Sequence, residues 1–343
     1  MKCWKAALAS ATLTPMLEIE HLSLSIPSAS GPKPAVSDVT LSLESGRVLG
    51  LVGESGCGKS ITAQTILRLG EHQGIERTEG TVKLDGQDIF TMQESELRVL
   101  RGGRISMIFQ EPMTALNPVF SIGAQITEVI RLHLDLTKRK ACERAVSLLT
   151  DVGLQQPEQL LRQYPDSLSG GMRQRVLIAM AMAADPDYII ADEPTTALDV
   201  SVQARIIDLL RKLQREKGLG MLLVTHDFGL VAELADDVAV MYAGHIVEYG
   251  SVEAIFDHPT HPYTRALMDC RPEAASRGTP MPAIPGQVPA PGAWPAGCRF
   301  APRCRWADAA CEQPVEAEAW HHGGHWARCI HVAKSTKPLE LTE

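Results

Sequence analysis

The stretch of sequence that decides the fold reads Gly53-Glu54-Ser55-Gly56-Cys57-Gly58-Lys59-Ser60. It matches the pattern G-x-x-x-x-G-K-S, in which glycines let the backbone wrap closely around the oxygens of a phosphate group. Residues 48–52 before it read as a buried strand, and residues 61–69 after it read as a helix. A strand before the loop and a helix after it are the context that this motif requires. The stretch therefore predicts a phosphate-binding loop inside an α/β domain.

Every part of this loop has a predicted role in holding a nucleotide. The backbone N–H groups of residues 53–60, together with that of Ile61, are expected to point at an anion, with a helix dipole behind them. Lys59 supplies a positive charge to the β- and γ-phosphates. The hydroxyl of Ser60 is placed for Mg²⁺. We therefore expect residues 53–61 to bind ATP together with Mg²⁺.

A second motif supplies the acidic groups that hydrolysis needs, in Tyr188-Ile-Ile-Ala-Asp192-Glu193. Residues 188–191 read as a buried strand, and Asp192 at its end is able to hold Mg²⁺ directly or through water. Glu193 follows at once, where it is placed to orient and deprotonate an attacking water. Apolar strands ending in Asp-Glu are common, so this pattern alone is weak. Together with the phosphate loop it predicts hydrolysis of the γ-phosphate with Glu193 as the base.

A third motif separates this chain from other proteins with a phosphate loop, and it reads Leu168-Ser169-Gly170-Gly171-Met172-Arg173-Gln174-Arg175. It closely resembles the signature sequence of ABC proteins. A Ser-Gly-Gly start of a helix offers a second anion site, although alone it is equally a simple helix cap. The resemblance implies that this segment binds the γ-phosphate of ATP held by the opposite subunit, through Ser169, Gly170, Gly171 and Gln174.

Three further residues lie in the order that ABC proteins show. Gln110 resembles the Q-loop glutamine, which the resemblance implies contacts Mg²⁺ and water and senses the transmembrane partner. Asp199 closes Ala197-Leu198-Asp199, which resembles the D-loop that crosses to the other monomer. His226 follows a predicted strand and resembles the switch histidine that contacts the γ-phosphate. A single histidine after a strand is more often structural, but its place in this series favours the catalytic role.

The resemblance covers roughly residues 17–257 and implies an ABC-type P-loop NTPase fold. Such a fold has a RecA-like α/β core, an antiparallel β subdomain and a helical subdomain, which we place at about residues 111–168. One element departs from the pattern, because ABC proteins usually stack the adenine on an aromatic residue upstream of the phosphate loop. This chain has no Phe, Tyr or Trp between Trp4 and Phe90. We therefore expect binding to rely on the phosphates, with loose discrimination against GTP.

The sequence after residue 257 changes in composition, with frequent Pro, Gly, Ala and Cys. We therefore divide the chain into residues 1–15 as a tail, 16–257 as the ATP-binding domain and 258–343 as an extension. His261-Pro-Tyr-Thr264, followed by Gly297-Cys-Arg-Phe-Ala-Pro-Arg-Cys304, resembles the C-terminal extension of the oligopeptide, dipeptide and nickel importer ATPases. Glu111-Pro-Met-Thr-Ala-Leu-Asn-Pro118 also resembles that subfamily.

The resemblance implies a role and a set of partners. The chain would be the ATP-hydrolysing subunit of an importer of di- or oligopeptides, with a nickel or metal-chelate importer as an alternative. The implied partners are a second and different ATPase chain, two transmembrane permeases and an extracytoplasmic solute-binding protein. The implied location is the cytoplasmic face of the bacterial inner membrane. A soluble ABC ATPase acting on ribosomes or DNA is a weaker alternative, because those usually fuse two ABC domains or carry a long coiled-coil insertion.

Four cysteines lie within the last fifty residues, and a cytosolic setting suggests a metal before disulfides. Zinc sites usually contain a closely spaced C-x2–4-C pair, which is absent from Cys298, Cys304, Cys311 and Cys329. Iron–sulfur clusters accept looser spacings, and the subfamily resemblance favours a 4Fe–4S cluster. A zinc site and unliganded thiols remain open. Three nearby histidines fit either a zinc site or a polar surface loop, namely His321, His322 and His325.

Composition limits the other possible roles. The net charge of −8 argues against nucleic acid as the main partner, since that would favour a basic surface. The longest apolar run, residues 176–184, is far too short to cross a bilayer. Residues 1–15 contain two lysines and a short Ala/Leu stretch. A signal peptide is conceivable there, but the predicted nucleotide domain follows directly, which favours a disordered tail.

Overall fold

A largely parallel sheet carries the phosphate loop near its centre. The computed structural model describes residues 16–196, 198–270, 283–315 and 320–332. The sheet has the order β11-β12-β10-β9-β3-β8-β7-β6, in which β10 is His245–Ser251, β11 is Trp320–His322 and β12 is His325–Ala327. Its parallel strands are β3 (Val48–Val52), β6 (Ile105–Ile108), β7 (Tyr188–Asp192), β8 (Gly220–Thr225) and β9 (Asp237–Tyr242). Each is an almost continuous apolar run, as expected for strands covered on both faces. The carboxyl ends of β3, β7 and β8 therefore bring residues 53, 193 and 226 to one edge.

A smaller antiparallel sheet lies beside this core, in the order β2-β1-β4-β5. Its strands are β1 (Met16–Ile26), β2 (Lys33–Glu44), β4 (Glu76–Leu84) and β5 (Gln87–Asp88). Alternating residues of β2 are buried, and they share a core cluster with residues of β3 and the helix after it. The predicted antiparallel β subdomain is confirmed.

Helices cover the parallel sheet on both faces. They are α1 (Lys59–Ile66), α2 (Glu94–Leu100), α7 (Gly170–Ala181), α8 (Val200–Lys217) and α9 (Phe228–Leu234). The sequence predicts that α1 extends to residue 69, but the helix ends at Ile66. Arg68 adopts a φ of 53°, in the left-handed region, and the chain turns there.

Four helices form the helical subdomain, namely α3 (Pro112–Ala115), α4 (Ile122–His133), α5 (Lys138–Asp151) and α6 (Pro157–Leu160). Ser121 and Thr137 cap α4 and α5 by accepting hydrogen bonds from backbone N–H groups of the first turn. Gly153, with a φ of 72°, follows the end of α5, where the sequence predicts a stop. The buried faces of α4 and α5 join the main core through Ile122, Ile126, Ile130, Ala141, Ala145 and Leu149.

Part of the described extension packs into the main core, and residues 327–332 form a small cluster of their own. It contains α11 (Pro262–Asp269), β11 (Trp320–His322) and β12 (His325–Ala327), after β10 (His245–Ser251) and α10 (Val252–Asp257). Strand β12 pairs antiparallel with β10 and so continues the main sheet. The ring of Tyr242 on β9 packs against two rings of the extension, Tyr263 on α11 and Phe300, with centroids 4.5 to 5.3 Å apart. The boundary at residue 257 stays a prediction, but this contact continues across it.

Among the described residues, we find no helix whose length and apolarity would let it cross a bilayer. The predicted N-terminal tail, residues 1–15, lies outside the described residues.

Candidate active site

The phosphate loop joins the end of β3 to the start of α1, as predicted. Gly53 and Gly58 have φ values of 154° and 112°, which only glycine adopts without strain. A Cβ at Gly53 would lie 2.1 Å from the carbonyl oxygen of Met241, so no side chain fits there. Helix α1 begins at Lys59 directly after this loop, so that its N-terminal N–H groups line the loop. The local geometry is therefore that of an anion-binding cradle.

Lys59 closes the cradle with a positive charge. Its Nζ donates to the carbonyl oxygens of Gly53 at 2.7 Å and Glu54 at 3.0 Å, across the mouth of the loop. The side chain is 4% exposed, so the ammonium group is held by backbone oxygens rather than by water. An incoming phosphate group would meet both this charge and the helix N-terminus.

Two of the predicted Mg²⁺ ligands, Ser60 and Asp192, meet at the edge of the sheet. Ser60 Oγ donates to Asp192 Oδ1 at 2.9 Å. Asp192 is buried, and burial raises its pKa, an effect that the hydrogen bond from Ser60 opposes. A hydroxyl and a carboxylate are hard oxygen donors of the kind that suit Mg²⁺, whereas the third predicted ligand, Gln110, donates its amide N–H to Glu193 instead. The donor set therefore fits the predicted ion.

Glu193 is the centre of a hydrogen-bonded group. Its carboxylate accepts from Gln110 Nε2 at 2.9 Å and from Thr196 Oγ1 at 2.8 Å, and it lies 3.2 Å from His226 Nδ1. Burial raises the pKa of Glu193, but the hydrogen bonds from Thr196 and His226 outweigh it and lower the pKa overall. The carboxylate is thus ionised at neutral pH and ready to accept a proton. The structure brings Gln110, Glu193 and His226 together, as the series of motifs predicts.

Thr196 belongs to this group, and no pattern in the sequence singles it out. Glu193 has a φ of 47°, and its backbone N–H donates to the carbonyl of Val224 on β8 at 2.8 Å. This turn brings the hydroxyl three residues later back onto the carboxylate. In the sequence, the one indication of its role is that Thr196 ends the short segment Glu-Pro-Thr-Thr directly after a buried strand.

The signature segment forms the start of α7. Ser169 is the N-cap residue and accepts from the backbone N–H of Met172 at 3.4 Å. Ser169 and Gly170 are exposed, so they are available to a partner. A Cβ at Gly171 would lie 2.8 Å from the side chain of Val202, which shows how closely α7 approaches α8.

Two other residues with predicted ATP contacts differ from each other in exposure, since Gln174 is buried and Asp199 is exposed. Gln174 is 1% exposed, and its amide has no hydrogen-bond partner among the described residues. Asp199 is exposed and caps α8, accepting from Val202 N at 2.9 Å and Ser201 Oγ at 2.7 Å. The hydrogen bond from Ser201 lowers the pKa of Asp199. Ala197 of the predicted D-loop lies outside the described residues.

The extension contacts the phosphate loop, which the sequence does not predict. The backbone N–H of Glu54 donates to the hydroxyl of Tyr263 at 2.9 Å, and the Glu54 carboxylate pairs with Arg303. Glu54 is therefore engaged by the extension, although the motif predicts that it contacts nucleotide. Trp294 lies against the β9–β10 turn, where a Cβ at Gly244 would be 2.9 Å from its ring and 2.7 Å from the carbonyl oxygen of Ala35. An aromatic ring thus stands beside the start of β2, although residues 5–52 contain none.

The four C-terminal cysteines are free thiols. Burial raises the pKa of Cys298, Cys304 and Cys329, and the proximity of neighbouring thiols of the same group raises each of them further. Cys311 is also tied to Cys298, whose backbone N–H donates to its carbonyl oxygen at 2.8 Å. The structure therefore brings the four predicted cysteines into one neighbourhood.

The histidine next to these thiols is His331, which the sequence does not single out. Its Nε2 lies 3.4 Å from Cys311 Sγ and 3.4 Å from Asp308 Oδ1. His325, predicted as a possible zinc ligand, instead lies buried with its Nε2 2.7 Å from Glu248 Oε1. That role for His325 is wrong, because the ring nitrogen is already paired in the core. His321 and His322 are exposed, as the surface-loop alternative expects.

Comparisons with known proteins agree with this geometry. The family described as ABC transporter matches residues 36–196. The family described as oligopeptide/dipeptide transporter, C-terminal region, matches residues 247–311.

Relatives match almost the whole chain. A putative peptide import ATP-binding protein of Brucella abortus is 47% identical over 315 residues, covering 92% of this chain and 94% of its own length. The oligopeptide transport ATP-binding protein AppD of Bacillus subtilis is 44% identical over 318 residues, covering 93% of this chain and 97% of its own.

Solved structures show the same fold. A dimeric ATP-binding cassette in a post-hydrolysis state, bound to ADP and Pi, has a TM-score of 0.62 and 26% identity. That match covers 69% of this chain and 98% of the cassette. The cbiO1 protein of Clostridium perfringens, part of the ABC transporter complex cbiONQ, has a TM-score of 0.61 and 25% identity over 71% of this chain and 92% of its own. This chain therefore belongs to the ATP-hydrolysing ABC transporter proteins, in the group that carries the oligopeptide/dipeptide transporter C-terminal region.

Proposed function

We propose that this chain is the ATP-hydrolysing subunit of an importer for di- or oligopeptides, working from the cytoplasmic face of the inner membrane. The observation that carries the proposal is the likeness, over nearly the whole length, to relatives named as peptide import and oligopeptide transport proteins. The extension supports it, because residues 247–311 match the region named for oligopeptide and dipeptide transporters. The peptide itself would be selected by a solute-binding protein and the permeases.

The ATP site acts in two steps, nucleotide binding and then hydrolysis. The phosphates bind the N-terminus of α1 and Lys59, while Ser60 and Asp192 are the residues that would hold Mg²⁺, which supplies positive charge to the developing transition state. Glu193 accepts a proton from the attacking water, held in orientation by Gln110, Thr196 and His226. Catalysis is mainly positioning and electrostatics, as in other phosphoryl transfers.

The site is completed by a second subunit. Ser169 and Gly170 are exposed at the start of α7, and a helix N-terminus is a suitable binding site for a phosphate group. We propose that the corresponding helix of a sister ATPase closes over the γ-phosphate of this chain, and that this chain does the same in return. Closure would exclude bulk water and move two permeases through the surface around residues 110–118.

Purification of the tagged chain from its native membrane tests the proposed assembly. We expect two permeases and a second ATP-binding chain to copurify, and the reconstituted complex to take up peptide only when given ATP. The same complex with Glu193→Gln serves as the matched control and is expected to bind peptide without accumulating it. Copurification with ribosomal or DNA-binding proteins instead would contradict the proposal.

We further propose that the four cysteines hold a 4Fe–4S cluster. The thiols lie in one neighbourhood as free, largely buried groups, which is the donor set that such a cluster uses. The alternative is a zinc ion held by Asp308, Cys311 and His331, whose ligand atoms all lie within 4.8 Å of one another. Purification without oxygen separates the two, because a cluster gives iron and broad visible absorbance, whereas zinc gives a colourless protein. Colourless protein without iron contradicts the cluster.

A further inference from the structure

The extension reaches the phosphate loop through one arginine. Arg303 ends a short turn, Ala301–Arg303, and its guanidinium donates two hydrogen bonds to the carboxylate of Glu54, at 2.7 and 2.9 Å. Glu54 is the second residue of the loop and lies 249 positions earlier in the chain. The arginine side chain is 4% exposed and the glutamate side chain 30% exposed. The extension therefore holds a charged side chain of the ATP site directly.

This arginine is fixed from several sides. Its Nε donates to the carbonyl of Pro285 at 2.8 Å, and its Nη2 approaches the carbonyl of Ile284 at 3.3 Å. The guanidinium also lies 5.8 Å from the ring centroid of Tyr242. Burial by itself lowers the pKa of Arg303, but the hydrogen bonds to Glu54 outweigh this and raise it. The charge is thus permanent and its position is fixed, as two-pronged arginine–carboxylate pairs require.

The pair solves an electrostatic problem inside the loop. Glu54 carries a negative charge in a segment that binds a polyanion, and its own carbonyl oxygen lies 3.0 Å from Lys59 Nζ. A free carboxylate there would repel the phosphates and compete for Lys59. Arg303 supplies the opposite charge in a two-pronged contact, so the carboxylate is both neutralised and held.

We propose that Arg303 is a positioning residue of the ATP site, which neutralises Glu54 so that the loop presents a positive face to ATP. The inference deepens the proposed function, because it rests on ATP binding at residues 53–60, but it is independent of what is transported. It gives the extension a part in ATP binding as well as in packing.

The substitution Arg303→Met removes the charge and keeps most of the side-chain volume. In the full-length chain, we expect the Kd for Mg-ATP to rise about tenfold, the order expected for one uncompensated charge several ångströms from a phosphate at an effective dielectric constant of about 20. The turnover number at saturating ATP should stay unchanged, because the groups around Glu193 are untouched. Arg305→Met is the matched control, since Arg305 is exposed on the same segment, and it should leave both values unchanged.

Removing the negative charge as well tests the electrostatic cause. We expect Glu54→Gln alone to bind ATP more tightly than the wild type, because the charge of Arg303 is then uncompensated. The double variant, Glu54→Gln with Arg303→Met, should return the Kd close to the wild-type value, which a purely structural role would not allow. Raising the salt concentration should narrow the difference between Arg303→Met and wild type, since salt screens exposed charges.

Two results would overturn the inference. One is a double variant that binds ATP as weakly as Arg303→Met, which would mean that Arg303 acts through packing alone. The other is a Glu54→Gln variant that binds ATP about tenfold more weakly than wild type, against the expected sign. A wild-type chain that binds no ATP is a distinct result, which contradicts the proposed function itself.

Discussion

Two carboxylates show how the ATP site differs from the junction, by which we mean the contacts between residues 16–257 and the extension. Glu193 accepts hydrogen bonds from side chains, and one of its neighbours, His226, is 56% exposed. Glu248 on β10 is fully buried, and it accepts from the backbone N–H groups of Thr260 at 2.6 Å and His261 at 2.9 Å, beside His325. The partners of Glu193 can exchange for water and nucleotide, whereas those of Glu248 are fixed by the fold. The first carboxylate is built for chemistry and the second for stability.

The largest expected effect is on turnover. Glu193→Gln keeps the shape of the side chain but removes the proton acceptor, so hydrolysis should fall by about 10²- to 10⁴-fold. Binding of Mg-ATP and the melting temperature should stay close to wild type. Phosphate release and nucleotide titration on the same preparation measure both quantities. Undiminished hydrolysis would refute the role of Glu193.

The matching substitution at the junction should do the opposite. Glu248→Gln replaces charged hydrogen bonds to Thr260, His261 and His325 by weaker ones, so the free energy of unfolding should fall by about 2–3 kcal/mol. Turnover per folded molecule should be unchanged. Chemical denaturation followed by tryptophan fluorescence gives the first value. A Glu248→Gln variant with wild-type stability and low turnover would contradict the structural role of Glu248.

Stability should also depend on pH through the junction. Burial, together with the positive charge of Arg328, lowers the pKa of His261 to about 3. Its Nδ1 accepts from the N–H of Tyr263 at 3.0 Å, so the folded state needs the neutral ring. The unfolded chain binds this proton near pH 6.5. The contribution of His261 to the free energy of unfolding is therefore fully present above that pH and decreases as the pH falls towards 3, by about 1.4 kcal/mol per pH unit.

His261→Asn checks this pH dependence, because asparagine keeps an acceptor for the start of α11. Between pH 6.5 and pH 4.5, the free energy of unfolding should decline less in the variant than in the wild type, by the contribution of about one proton. His258→Asn is the control, since His258 is exposed nearby. Identical slopes for wild type and His261→Asn would contradict the assignment.

The smallest expected effect concerns the base. Trp294 is the aromatic ring beside the start of β2, and the guanidinium of Arg299 lies 3.6 Å from its ring centroid. Trp294→Ala should weaken ATP and GTP alike by about fivefold, the lower end for stacking of a base on an aromatic ring. Trp306→Ala is the control, as another tryptophan of the extension that contacts an arginine. A strong preference of the wild type for ATP over GTP would contradict the expected loose discrimination.

The same contrast explains what the sequence predicts well. The ATP site depends on contacts that are local or lie at the ends of buried strands, such as Lys59 Nζ with the carbonyl of Gly53, six positions away. Apolar runs predict the strands, and the strand ends then bring Asp192, Glu193 and His226 together.

The junction depends on contacts that no local pattern encodes. Arg303 and Glu54 are 249 positions apart, and His325 and Glu248 are 77 apart. The extension has little periodicity, so its positions relative to β10 follow only from the folded sheet. The sequence predicts the thiols as a group because four cysteines lie within the last fifty residues. It does not show which histidine of the extension lies next to Cys311, and only the fold shows that this is His331.

The most direct test of the central claim is a titration of Mg-ATP into wild-type chain and Lys59→Ala, with phosphate release recorded on the same samples. Lys59→Ala removes the charge at the mouth of the loop, so it should lose both ATP binding and hydrolysis, while Lys140→Ala on the exposed face of α5 should retain both. Hydrolysis by Lys59→Ala at the wild-type rate would contradict the account, because ATP would then be bound and cleaved elsewhere.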